Sequence, residues 1–250
     1  MKYEIKHRRT GEVIFSCETE TMRQCVEQAV RDSADLRAAD LSAADLSHAD
    51  LRHAGLRYAD LRHAGLRHAD LRYADLRNAD LRHADLSAAD LRHADLRSAD
   101  LNSANLSHAG LRHADLRHAG LRHADLRYAD LRSADLRHAD LRHADLRNAD
   151  LRHADLRSAD LRYADLRHAD LSDVILSAAD LNSANLDFSS GLPFRCSSFD
   201  IKADIRLAAQ LAYHFCRIDF GKNADAKAAK VALKKLANQF HRVNECGEIE

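Results

Sequence analysis

The chain has 250 residues, with 38 Lys and Arg against 39 Asp and Glu, 46% apolar residues, 5% aromatic, one proline and no tryptophan. A formal net charge of −1 excludes a global electrostatic pull toward nucleic acid, anionic lipid or an acidic partner, and no apolar run of about eighteen residues offers a membrane-spanning helix. The length is ample for a sizeable core, so stability does not call for disulfides or a metal.

At the N-terminus, residues 2–7 and 12–17 alternate polar and apolar, with Arg9-Thr10-Gly11 between them, which predicts a β-hairpin. Charge every few residues leaves no apolar stretch of the signal-peptide kind. Thr21 then precedes Met22, Cys25, Val26 and Val30 at helical spacing, so a short amphipathic helix is expected from Thr21 to about Asp32. Hairpin and helix together form an N-terminal cap over residues 1–33. The five cysteines, Cys17, Cys25, Cys196, Cys216 and Cys246, show no C-x-x-C spacing. They read as reduced thiols of a cytoplasmic protein rather than as a disulfide framework or zinc site.

From Ala34 to Phe188 the chain repeats every five residues as A-D-L-R-x, in 31 units without insertion or deletion. Leucine is present in all 31. Alanine two places earlier fails only at Val174, Asp gives way only at Gly55, Gly65, Gly110, Gly120, Asn105, Asn185 and Ile175, and Arg follows the leucine in 22 units. A period of five suits neither regular element, since it smears the leucines around a helix and alternates them across a strand. A chain that turns a corner once per unit buries them all. Coils stacked about 4.8 Å apart then pair their backbones with the coils above and below.

This tandem A-D-L-R-H pattern resembles the pentapeptide-repeat family, whose motif is a small residue, Asp or Asn, Leu or Phe, then two variable positions. The resemblance spans residues 34–188 and implies a mainly β fold, a right-handed quadrilateral β-helix with four units per coil, about eight coils and roughly 37 Å long. It places Leu36, Leu56, Leu76, Leu96, Leu116, Leu136, Leu156 and Leu176 in one interior column. Some proteins similar in motif mimic the DNA duplex and bind or protect type II topoisomerases such as gyrase.

After Phe188, residues 189–193 form a linker. Two apolar stripes follow, one over Asp200 to Arg217 and one from Ala229 to Val243, so residues 194–250 are expected to be an αα-hairpin cap. Leu211, Phe215, Leu236 and Phe240 are its candidate partner or dimer surface.

On the outward positions, the block's 22 Arg and 26 Asp are spread so that no face becomes a stripe of one sign. A topoisomerase-binding DNA mimic needs a strongly negative rod, and phosphate binding needs free arginines, so both are disfavoured. Fourteen histidines occupy the last position of a unit. Residues twenty apart stack in a four-sided coil, which pairs His48 with His68, His63 with His83, His93 with His113, His118 with His138 and His123 with His143. Acidification through about 6.5 charges such pairs and sets them repelling, making them candidate pH-sensitive elements. Structural zinc wants four ligands and a second shell, which pairs do not supply. Tyr58, Tyr73, Tyr128 and Tyr163 fall on four different faces and make no base-stacking strip. A filled Leu/Ala interior leaves no substrate cavity. No catalytic, cofactor or metal residues are assigned.

Residues 59–77 recur identically at 114–132, an offset of 55 that moves the copy to another face. Such slippage fits a repeat kept for length and rigidity, and the regularity is that of a near-consensus or engineered repeat protein. The reading is a non-enzymatic rigid scaffold or spacer for protein interaction, with the gyrase-binding mimic as the alternative.

Overall fold

Strand β1 (Lys2–His7) pairs antiparallel with β2 (Val13–Glu18), and the register shifts between Ile5 and Lys6. The structure, a computed structural model, describes residues 1–191, 202, 208, 212, 228, 230–234 and 238. Helix α1 (Met22–Arg31) starts where Thr21 Oγ1 accepts the Gln24 N–H at 3.2 Å, satisfying a donor the helix leaves open. It buries Cys25, Val26 and Ala29 in the same apolar cluster as Ile5 and Leu36.

One sequence expectation is corrected in this cap. Cys17 at the end of β2 and Cys25 in α1 are joined by a disulfide, with their Cα atoms 5.8 Å apart. The short link from strand to helix folds α1 back across β2, bringing together two cysteines whose spacing carries no motif. The argument from reduced thiols to a cytoplasmic location therefore falls for this pair.

The repeat coils as its period requires. Parallel bridges join residues twenty apart, from Asp40 with Asp60 through Asp170 with Ser190. Leu41 N–H donates to Asp60 O and Asp60 N–H to Ala39 O, both at 2.8 Å, and this pattern recurs up the stack. Between successive units, Ala39 N–H donates to Leu36 O at 3.1 Å, closing a four-residue turn at the corner. Five residues per turn and twenty per coil make four sides. All 31 leucines from Leu36 to Leu186 are buried, together with nearly every repeat alanine and Val174.

Each corner places the last residue of its unit at positive φ, between 53° and 61° from Ser33 to Phe188. That is the left-handed region, uncommon for non-glycine residues but several-fold enriched in Asn, Asp and His. Histidine's dominance at this position thus has a backbone reason as well as any surface role.

The caps occupy the first coil's open edge, where backbone groups lack a coil beneath them. Strand β1 pairs antiparallel with β3 (Ala39–Asp40), and Arg8 N–H donates to Ala38 O at 2.8 Å. From α1, Glu27 accepts the Asp50 N–H and Arg23 donates to Ser47 O, both at 3.0 Å. At the other end Gly191, at φ +71°, stands where a further leucine would fall. A Cβ there would lie 2.6 Å from the Ser172 backbone, so only glycine fits. Lys202 N–H donates to Ala179 O at 2.9 Å, and Leu181 N–H to Lys202 O at 2.9 Å. Ala208, Ala212, Ala228 and residues 230–234 are helical. Leu211, Phe215, Leu236 and Phe240 lie outside the described residues.

Candidate functional site

With the interior filled by Leu and Ala, chemistry is confined to the outside of the coil, which is built from two interlocked lattices. The first is ionic. In each unit carrying both Asp and Arg, the carboxylate accepts from the arginine two residues on. Asp75 is typical: its Oδ1 takes the Arg77 N–H at 3.3 Å and Nε at 2.8 Å, while Oδ2 takes Nη2 at 2.5 Å. The carboxylate therefore fixes the corner backbone and the guanidinium together, a bidentate charge-assisted arrangement. Arginines also reach the next coil, as in Arg52 Nε to Asp70 Oδ2 at 3.6 Å and Arg77 Nε to Asp95 Oδ2 at 3.4 Å. Hydrogen bonds from Arg62 and Arg72 hold Asp60 and Asp70 below the usual carboxylate range, outweighing their partial burial.

All arginines of the block whose unit carries Asp make this pair. The exceptions are Arg57, Arg67, Arg112 and Arg122, which belong to the units of Gly55, Gly65, Gly110 and Gly120. Counting charge face by face in the sequence hides this, because it does not ask which Arg has lost its own Asp.

The second lattice is aromatic. His48–His68, His118–His138 and His123–His143 stack at 4.9 Å between ring centroids, and His63–His83 and His93–His113 at 5.0 Å. The stacks extend further than histidine pairs. His53, Tyr73, His93 and His113 form one ladder, His143 continues to Tyr163, and His108 stacks on Tyr128 and His168 on Phe188. The same twenty-residue rule, applied to all rings, would have found them. Near-parallel rings cover one another's faces and show their edges to solvent, so a base has few free faces to stack on.

Among the described residues, no three His, Cys, Asp or Glu are placed to hold a metal ion, and no helix is long and apolar enough to cross a membrane. The concave features described are open. One, of about 380 Å³, follows the corner of Arg57, Arg77, Asn78, Arg97, Ser98, Arg117 and His118. Another, of about 480 Å³, lies between the N-terminal cap and the first coils, beside Arg23, Asp45 and His48. Neither has the enclosed apolar lining of a small-molecule site.

Comparison with known proteins agrees with this geometry. A family model described as pentapeptide repeats matches in 8 copies, among them residues 34–72, 59–97, 99–137, 114–152, 134–173 and 149–187. HetL, a pentapeptide repeat protein involved in heterocyst differentiation regulation in the cyanobacterium Nostoc sp. strain PCC 7120, is 32% identical. The match covers 73% of this chain and 94% of HetL, with a TM-score of 0.34. A trypsin-treated variant of QnrB1, a plasmid-mediated fluoroquinolone resistance protein, is 19% identical over 70% of this chain and 88% of its own, with a TM-score of 0.56. That likeness shows the fold alone, the right-handed quadrilateral β-helix. No curated protein matches.

Proposed function

The chain belongs to the pentapeptide-repeat family, and on that premise we propose that it is a non-enzymatic rigid rod, a scaffold or spacer that holds protein partners at a fixed separation. The observation that carries this reading is the unbroken interior: 31 buried leucines in coils of one size, with no loop inserted in the repeat and with open rather than enclosed concave features among the described residues. Such a column resists bending because each coil is bonded to its neighbours across every side. Partner binding or self-association is assigned to the C-terminal segment, with Leu211, Phe215, Leu236 and Phe240 as its apolar anchors. A pull-down with the full chain and with a form lacking residues 194–250 tests this. A partner, or a second copy seen as doubled mass in light scattering, should be captured by the full chain and lost with the deletion; equal capture by both forms overturns the assignment.

The second reading, a DNA-duplex mimic acting on a type II topoisomerase, draws on the fold shared with a fluoroquinolone resistance protein. The Arg–Asp lattice weighs against it, because most of the carboxylates that would imitate phosphates are already held by guanidiniums. Inhibition or protection of gyrase supercoiling by the purified chain would favour the mimic over the spacer.

A further inference from the structure

Arg57 sits in a lattice whose rule it breaks. In the next coil of the same face, Asp75 supplies a carboxylate to the N–H, Nε and Nη2 of Arg77. The corresponding residue for Arg57 is Gly55, and the three donors remain. Neither the backbone N–H nor the side chain of Arg57 makes a hydrogen bond among the described residues, and its Nε is buried without a partner; Asp75 of the next coil attracts it electrostatically but gives its hydrogen bonds to Arg77. A buried donor left open is costly and rare enough to need an explanation. The guanidinium rests instead against the Tyr58 ring, 5.4 Å from its centroid.

Nothing in the backbone demands glycine here. Gly55 has no positive φ, and a Cβ built on it would meet no atom within 4 Å. The other three gaps differ. At Gly120 the Asn102 side chain lies 3.1 Å from the Cβ position and its Oδ1 accepts the Arg122 N–H at 2.7 Å. Gly65 faces Ser47 and Asp45, and Gly110, although Arg112 Nε is likewise buried without a partner, has its gap closed by Asp90 at 3.7 Å and Arg92 at 3.8 Å. Only the Gly55 gap opens freely to solvent, and Arg57 lines the groove along its corner. There the small Asn78 and Ser98 lie between the larger Tyr58 and His118. Arg8 adds a second cation by donating to Tyr58 O at 2.8 Å. Tyr58 and His118 are three coils apart, about 14 Å, the reach of about four extended residues.

We propose that this groove docks an extended acidic peptide of a protein partner, anchored by a carboxylate that enters the gap at Gly55 and pairs with Arg57. The partner's Asp or Glu would complete the lattice in trans, with the Asn78 and Ser98 side chains facing the rest of the segment. This holds whether or not the C-terminal segment binds anything.

The test is fluorescence anisotropy of a labelled four-residue glutamate peptide, with a four-residue glutamine peptide as control. Gly55→Asp supplies the missing carboxylate from within the chain, so it should weaken glutamate-peptide binding by about tenfold or more without lowering the melting temperature. Arg57→Gln should weaken it similarly, and Gly110→Asp, on a corner filled by the stacked His93 and His113 rings, should leave it unchanged. The proposal is overturned if the glutamate peptide does not bind, if the glutamine peptide binds as tightly, if Gly55→Asp binds like the parent, or if Gly110→Asp loses as much.

Discussion

Replacing Leu116 with Asp is expected to cost more than about 5 kcal/mol and to split the unfolding transition in two. Leu116 is 1% exposed, midway along the column from Leu36 to Leu176. Its replacement puts a carboxylate where no donor is available, since the side chains around it are Leu and Ala. Leu116→Ala, which only removes apolar volume, should cost about 3 kcal/mol. In a protein where each coil touches only its neighbours, a central lesion uncouples the two sides, and each then unfolds at its own midpoint. Urea unfolding followed by circular dichroism reads both effects. A single transition with a loss below about 1 kcal/mol for Leu116→Asp would mean that the interior is not a continuous column.

The second large effect is acid. Aspartates such as Asp60 and Asp70 are held below their usual range by arginine hydrogen bonds. For Asp90 and Asp135 burial pulls the other way, yet the bonds from Arg92 and Arg137 still prevail. A carboxyl whose folded pKa lies below its unfolded one contributes its full stability above the unfolded value, about 3.9, and loses it as pH falls through the folded value. The lattice therefore leaves the melting temperature level from pH 8 to about 5 and lowers it steeply below about 4. The pairs are partly exposed, apart from the buried carboxylates of Asp60 and Asp80, and each is worth at most about 1 kcal/mol, but their number gives an expected fall of roughly 10 °C or more between pH 5 and pH 2.5. A midpoint unchanged down to pH 2.5 would show that the Asp–Arg bonds carry no stability.

Much of this architecture was legible because the sequence repeats. A period of five, with leucine never missing, leaves one way to bury every leucine, and from it follow the twenty-residue pairing of Asp40 with Asp60 and the stacking of His118 on His138. Thr21 ahead of Met22, Cys25, Val26 and Val30 marked the start of α1, where its Oγ1 accepts the Gln24 N–H that the helix leaves open. Other features were opaque for physical reasons. The Cys17–Cys25 disulfide depends on how α1 folds across β2, a tertiary fact that an eight-residue spacing does not carry. The positive φ at each corner was written in composition, in a position rich in His with Asn and Ser, but it looked like surface variety. Arg57's open donors were missed because charge summed over a face does not match each arginine to its own unit's carboxylate, although one carboxylate normally serves that unit's backbone and guanidinium together.

That the repeat is a rigid spacer of four units per coil is tested most directly by small-angle X-ray scattering of the full chain and of a form lacking residues 97–136, which removes two whole coils in register. The maximum dimension should fall by about 10 Å with the cross-sectional radius unchanged. An unchanged length, or a cross-section that swells when the coils are removed, would contradict it.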